Sequence, residues 1–238
     1  MITRTTLIIT LSLSLFSSVS YAQKFEIGLQ AGYGSFDMSE LNTLQNAVIN
    51  EAQFSGLKNT ELFPSFFNFG AFANYMINDK SMVKIHVRYE STGARAAYSD
   101  YSGSFTYDQL VDQTIVSLGY RFISTSEEIT TKFLPFLEFS VGTGFANLTL
   151  EQNLVIDDIS EQFNANFEEQ TVFIEPGIGF RIDLGSLAIE PYLNYLLNIY
   201  QTGLALPNNS DAKLMYESDE VNTQWSGYRT GINLIVKF

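Results

Sequence analysis

The stretch "VKIHVRYE", Val83 to Glu90, decides how the rest of the chain is interpreted. Apolar and ionisable residues alternate strictly along it. Because successive side chains of a β-strand point to opposite faces, one face here is apolar and the other carries every charge. The fold therefore depends on which of these two faces meets water.

The first 22 residues have the pattern of a secretory signal. Arg4 supplies a positive start, Leu7 to Val19 form a short apolar run, and residues 20–22 ("SYA") place small residues where a signal peptidase reads. The apolar run is shorter than the roughly 20 residues of a membrane-spanning helix. We expect export, cleavage before Gln23, and one mature domain over residues 23–238.

Composition restricts the class of protein further. The chain has no cysteine, which excludes disulfides and thiolate metal sites. Aromatic residues make up 14% and charged residues only 16%, against about 25% charged in soluble domains. The net charge is −13 and no basic patch is present, so nucleic acid is excluded as a partner. No run approaches the length of a spanning helix, so only strands could cross a membrane.

Period-two alternation recurs in eight segments. They are Lys24–Phe36, Phe66–Ile77, Val83–Glu90, Thr114–Phe122, Leu137–Phe145, Val172–Ile182, Leu187–Ile199 and Tyr228–Phe238.

The connections alternate in length. Short turns ("NDK", "STSEEITTK" and Gly185-Ser186) alternate with long segments at 37–62, 92–109, 151–170 and 202–223. Within the first of these, apolar residues near helical spacing predict a short amphipathic helix over the rim. The pattern predicts an all-β fold: an eight-stranded antiparallel up-and-down transmembrane β-barrel with short periplasmic turns and long extracellular loops.

Residue size favours the apolar face as the outside. A lipocalin-like soluble barrel would point this face inward, whereas a membrane barrel inverts the arrangement. Glycines fall on the polar parity of the strands, as the narrow interior of an eight-stranded barrel requires. Tyrosines and phenylalanines fall on the apolar parity, many near strand ends, as in interfacial girdles. We therefore expect lipid outside and a lumen filled by polar side chains.

Charges on the strand segments balance, with seven basic and seven acidic side chains. Burial without water requires such matching, because an unpaired buried ion costs several kcal/mol. We predict a structural ion network in the lumen, and no open channel. Its members are Lys84, His86, Arg88, Glu90, Arg121, Glu138, Glu175, Arg181, Glu190 and Arg229.

The chain resembles the small outer-membrane β-barrel families of Gram-negative bacteria, with an OmpA/OmpX-like fold and closest to porin-like, PorT-type domains. The resemblance is carried by "SYAQ", by "FEIGLQAGYGSF" with "MSELN", and by the closing "GYRTGINLIVKF". It implies an integral outer-membrane location. It also implies that the C-terminal residues form the signal read by the barrel-assembly machinery: Phe238, Val236, Leu234 and Ile232.

Two catalytic or metal-binding interpretations are weaker. His86 is the single histidine, and no partner serine is marked, so a hydrogen-bonded lumen histidine is favoured over a barrel hydrolase. The acidic segment 151–170 lacks the alternating Asp/Asn and glycine of a calcium loop. A solvated surface, with loose cation bridging to lipopolysaccharide, is favoured there. No catalytic residue, cofactor or metal is predicted.

The leading functional prediction is a non-enzymatic outer-membrane barrel that acts through its surface loops, in adhesion, envelope structure or interaction with a membrane complex. Its partners are then outer-membrane lipid, lipopolysaccharide, the assembly machinery and a protein bound by the loops. A narrow porin-like channel for small solutes is the alternative, and a lipid-modifying barrel enzyme ranks last.

Overall fold

The computed structural model describes residues 24–52, 56–124, 133–156 and 159–238. The predicted secretory signal over residues 1–22 lies outside the described residues. Within them, the chain forms thirteen strands and one helix. These are β1 Phe25–Gly34, α1 Ser39–Glu51, β2 Lys58–Leu62, β3 Phe66–Asn78, β4 Ser81–Ser99, β5 Gly103–Ile123, β6 Phe133–Ile156, β7 Ile159–Asp183, β8 Leu187–Gln201, β9 Ala205–Leu206, β10 Asn209–Lys213, β11 Met215–Tyr216, β12 Asp219–Glu220 and β13 Gly227–Lys237.

Eight of the described strands close a ring in the order β1-β3-β4-β5-β6-β7-β8-β13. Every neighbouring pair is antiparallel, and closure comes from β1, which pairs with β3 on one side and with β13 on the other. The predicted eight-stranded up-and-down barrel is confirmed. No helix in these parts of the chain is both long and apolar enough to cross a membrane.

Two of the predicted long loops are strands. Residues 92–99 and 104–109 continue the ladder of β4–β5, and residues 151–156 and 159–170 that of β6–β7, with the register unbroken to Ser99–Ser104 and Ile156–Ile159. The sequence interpretation ended these strands too early. With a rise of about 3.3 Å per residue, the two hairpins carry the sheet well beyond the ring.

Polarity inverts along these long strands. In the ring, outward side chains such as Leu118 are apolar and inward ones such as Arg121 are polar. Beyond Thr114 the assignment reverses at several positions: Val111 and Tyr107 point inward and are buried, and Asp112 points outward, although Leu110 remains apolar and outward. A search for alternation in one fixed phase ends the predicted strand at this reversal, although the strand continues.

A cap of folded segments fills the mouth at the end with the long connections. It consists of α1, which the sequence predicted, of β2, which extends the sheet beside β4, and of residues 202–226. Met38, Leu41 and Trp225 are fully buried there and join an apolar cluster with inward residues of β5 and β6. The molecule therefore has a polar core in the ring and an apolar core above it.

Candidate functional site

The lumen of the ring holds two ion clusters. The lower one joins four cations and four carboxylates in a continuous chain of contacts. Arg121 is its centre, with Nη2 at 2.5 Å from Glu138 Oε2 and Nη1 at 2.7 Å from Glu190 Oε2. Its members are Lys84, Arg121, Arg181, Lys237, Glu26, Glu138, Asp183 and Glu190.

The upper cluster has two arginines and two glutamates. Arg88 contacts Glu90 at 2.7 Å and binds Glu175 with two parallel hydrogen bonds of 2.9 Å. Arg229 binds the other side of Glu90 through Nε and Nη2. Asn194 Nδ2 donates to Glu175 at 2.8 Å. Each cluster is neutral by itself, which is the condition under which buried ions are tolerated.

His86 lies between the clusters and takes a different environment from the one expected. Its ring packs edge-on against Phe72, with 6.1 Å between centroids, and its Nε2 has no hydrogen-bond partner among the described residues. Lys84 and Arg88 flank it on the same strand. A nucleophile–base pair of the kind a hydrolase needs is not assembled around it in this part of the chain.

Every residue of the predicted network is buried inside the ring. Nine of the ten make ion pairs, and His86 is the exception. The prediction left out Glu26, Asp183 and Lys237, which complete the lower cluster. All three were among the fourteen charged side chains counted on the strands. Glu26 has the same parity as Gly28 on β1, and this signal could have added Glu26 to the predicted network.

Glycines leave the room that these side chains occupy. A Cβ on Gly177 would lie 2.0 Å from Asn194 Oδ1, and one on Gly70 would lie 2.7 Å from His86 Nε2. Both distances are shorter than any normal contact, so the interior is filled to the backbone. Small residues on the inward parity are thus a packing requirement of the ion clusters.

Residues 221–225 form a strap that connects the cap to the barrel strands by hydrogen bonds. Thr223 donates from its backbone N–H (3.0 Å) and its hydroxyl to Glu169 Oε2. The Arg229 guanidinium donates to the Trp225 carbonyl oxygen at 2.7 Å, and the Trp225 ring packs edge-on against Phe36.

Glu40 on α1 holds the strap from the other side, because it accepts from Asn222 N–H at 2.7 Å and from the Gln224 side chain. Burial raises the pKa of the Glu169 carboxyl, and the charge of Glu40 acts in the same direction. The strap therefore contacts two carboxylates, Glu40 of α1 and Glu169 of β7, and burial disfavours the charged form of Glu169.

Above the ring, β7 has an open edge. From Ile159 to Phe167, β7 pairs with β6 on one side, whereas the described residues give its other side a single pair above the ring, Glu168 with Ala205. The segment reads "ISEQFNANF" and has no lysine or proline, the residues that usually protect an edge strand. Ile159 and Phe163 are exposed by 66% and 57%.

The predicted assembly signal lies on β13 and at its end. Ile232, Leu234 and Val236 point outward and are exposed, and Phe238 follows Lys237, which pairs with Glu26 of β1. In the described ranges, no group of three or more His, Cys, Asp or Glu side chains could hold a metal ion.

Fold and lumen together define a closed, filled barrel with an apolar outer band. A scan of protein-family models found no match, and neither did a search of curated proteins. Among solved structures, the chain is similar to the outer membrane protein OprG from Pseudomonas aeruginosa, with 12% identity over 92% of this chain and 98% of that one and a TM-score of 0.46.

Two further solved structures show a comparable similarity. Neisserial surface protein A (NspA) has 10% identity, covers 90% of this chain and 96% of its own, and has a TM-score of 0.40. Ail of Yersinia pestis, in complex with the heparin analogue sucrose octasulfate, has 12% identity, covers 90% and 98%, and has a TM-score of 0.38.

Proposed function

We propose that this chain is a non-enzymatic, integral outer-membrane barrel of a Gram-negative bacterium, of the small porin-like, PorT-type kind. Its ring anchors a protruding sheet that binds a protein partner outside the cell. Two features of the molecule support the proposal: the apolar band around the ring and the open edge of β7.

The band supports insertion in a bilayer. Outward side chains of the ring are large and apolar on every strand, and aromatic residues such as Tyr33, Tyr89 and Phe145 stand at its upper limit. The next outward row contains Asp112, which accepts a hydrogen bond from Asn147 at 3.1 Å. Monomeric soluble proteins rarely expose continuous apolar surface of this extent.

The open edge of β7 is the single observation that carries the binding role. Unpaired strand edges bind extended segments of partner proteins by adding a strand, with backbone hydrogen bonds for affinity and alternate side chains for specificity. The edge stands above the band, where a partner can approach from water. The acidic chain, with its net charge of −13, favours a partner segment with a basic face.

Shortening one hairpin at a time tests the binding role. Replacing residues 152–163 by Asn-Gly joins Glu151 to Asn164, a registered pair, and removes Ile159 to Phe163 from the open edge. Replacing residues 99–104 in the same way shortens the β4–β5 hairpin and keeps the edge. We expect only the first variant to lose surface interactions in cell-adherence and affinity-purification assays. Unchanged surface interactions and envelope phenotype in that variant would refute the proposal.

The channel alternative has less support. Both ion clusters and the buried Trp225 lie across the path of a solute. Planar-bilayer measurements discriminate, because we expect no steady current through the purified barrel. Sustained conductance would favour the channel.

A further inference from the structure

Two prolines interrupt the same seam of the ring. Pro176 lies within β7 and Pro191 within β8, and each keeps its register with the strand on its other side. Between β7 and β8, the pairing in the described chain skips Glu175 and Pro176, and again Phe180 and Arg181 opposite Pro191. Since proline has no N–H to donate, both gaps follow from the sequence.

A groove lies on the outer wall over the upper gap. It is an open, shallow depression with a volume of about 430 Å³. Gly177 and Asn194 of the two strands lie at its floor, and both face the lumen. Its outward-facing lining is apolar: Leu137, Pro176, Ile178, Leu193, Tyr195 and Tyr228.

Position and chemistry select the occupant. The groove lies within the apolar band, and its upper end is marked by Tyr195 and Tyr228, whose rings pack edge-on at 4.8 Å. Tyr228 stands at the start of β13, next to the cap, so this end faces the outer leaflet. At the floor, Asn194 Nδ2 is already bonded to Glu175. A hydrocarbon chain from the outer leaflet matches a long apolar groove that opens at the aromatic level.

We propose that the groove over the β7–β8 seam is a lipid site that holds one acyl chain of an outer-leaflet lipid, with the headgroup above Tyr195 and Tyr228. This proposal rests on the membrane location proposed above. It differs from general lipid contact because the seam gap, and not the smooth wall, supplies the cavity. Because the surrounding lipid tails are as apolar as the lining, retention depends on van der Waals packing of the chain in the formed groove.

Retention of a defined lipid tests the site. The barrel is reconstituted in vesicles of palmitoyl-oleoyl phosphatidylcholine, extracted with mild detergent, and weighed by native mass spectrometry. We expect one phospholipid to remain on the unmodified barrel. Leu193→Trp, which fills the groove, should lose it. The matched control is Leu118→Trp on β5, where the register with both neighbours is continuous, and it should keep the lipid.

A second variant covers the case in which Leu193→Trp fails to fold, as judged by heat-dependent gel mobility. Pro176→Val restores an N–H at the gap, so we expect the ladder to close and lipid retention to fall. No retained lipid on the unmodified barrel, or retention in both groove variants equal to that of the unmodified barrel, overturns the lipid site. Failure of the barrel to float with vesicles would instead refute the membrane location itself.

Discussion

The ring and the sheet above it are two regions of the same long strands with opposite polarity. On β5, Leu118 faces outward and Arg121 inward in the ring, whereas Asp112 faces outward and Val111 inward above it. A strand has no intrinsic inside, so the phase of its alternation reports the solvent around it. In the proposed membrane location, the reversal near Thr114 therefore marks the level at which hydrocarbon gives way to water.

The two interiors also differ in how they are stabilised. In the ring, each buried charge is compensated by a partner of opposite sign, and removing the partner leaves an uncompensated ion. In the cap, Trp225 and Met38 are buried by ordinary apolar packing. Removing one charge inside the ring should consequently lower the free energy of unfolding more than removing an exposed ion pair above the ring.

The largest effect should come from Arg88→Met in the upper cluster. It leaves Glu90 and Glu175 without their shared cation, and breaking a buried pair in this way costs about 3–5 kcal/mol of unfolding free energy. Urea unfolding in lipid vesicles measures the loss. The double variant Arg88→Met/Glu175→Gln restores neutrality, so it should be the more stable of the two. A double variant as unstable as the single one would contradict charge matching.

The solvent boundary is tested by one substitution at two positions. Leu118 and Leu110 share strand and parity and are exposed by 54% and 51%. A lysine at the middle of the hydrocarbon costs about 2–4 kcal/mol, whereas a surface change in water stays within about 0.5 kcal/mol. We expect Leu118→Lys to destabilise the barrel and Leu110→Lys to leave it almost unchanged. Equal effects in the same unfolding assay would place both positions in one solvent.

The cap should respond to pH through Glu169. Its pKa is raised in the folded state by burial, so the folded state favours the protonated form. Stability from this group is therefore complete below the unfolded pKa and decreases as pH rises through the folded pKa.

Glu169→Gln removes this charge and keeps an acceptor for Thr223. We expect the variant to gain stability over the parent at pH 8 and to match it near pH 4. Hydrogen exchange of residues 221–225, corrected for intrinsic rates, reports the cap directly. A variant that is less stable at pH 8 would reverse the assigned sign.

The smallest effect should come from Arg95→Met, on the outer face of β4 above the ring. Arg95 holds Asp108 with two hydrogen bonds of 2.6 and 2.8 Å, a geometry like that of Arg88 with Glu175. Its side chain is 56% exposed, however, and exposed ion pairs contribute about 0–1 kcal/mol. A loss as large as that of Arg88→Met would show that geometry, and not burial, sets the difference.

Alternation predicted the ring well because each ring strand keeps one phase, with apolar side chains outward and polar ones inward. It also predicted an inward orientation for residues such as Arg121 and Glu138, since parity alone sets the face. It failed at 92–109 and 151–170, because above the ring these strands continue largely in the opposite phase. It could not reveal the closure of the cap, since Thr223 and Glu169 are far apart in the chain.

By itself, the sequence determined the number of ring strands, their apolar and ionic faces, and the equal number of basic and acidic side chains on the strands. Each of these depends on local periodicity and composition. The tertiary structure alone decided which ions meet, that His86 stays outside the ion pairs, that two loops are strands with an open edge, and that both prolines open the same seam. These features depend on the register between distant strands, which is set by closing the whole ring at once and cannot be read from any single segment.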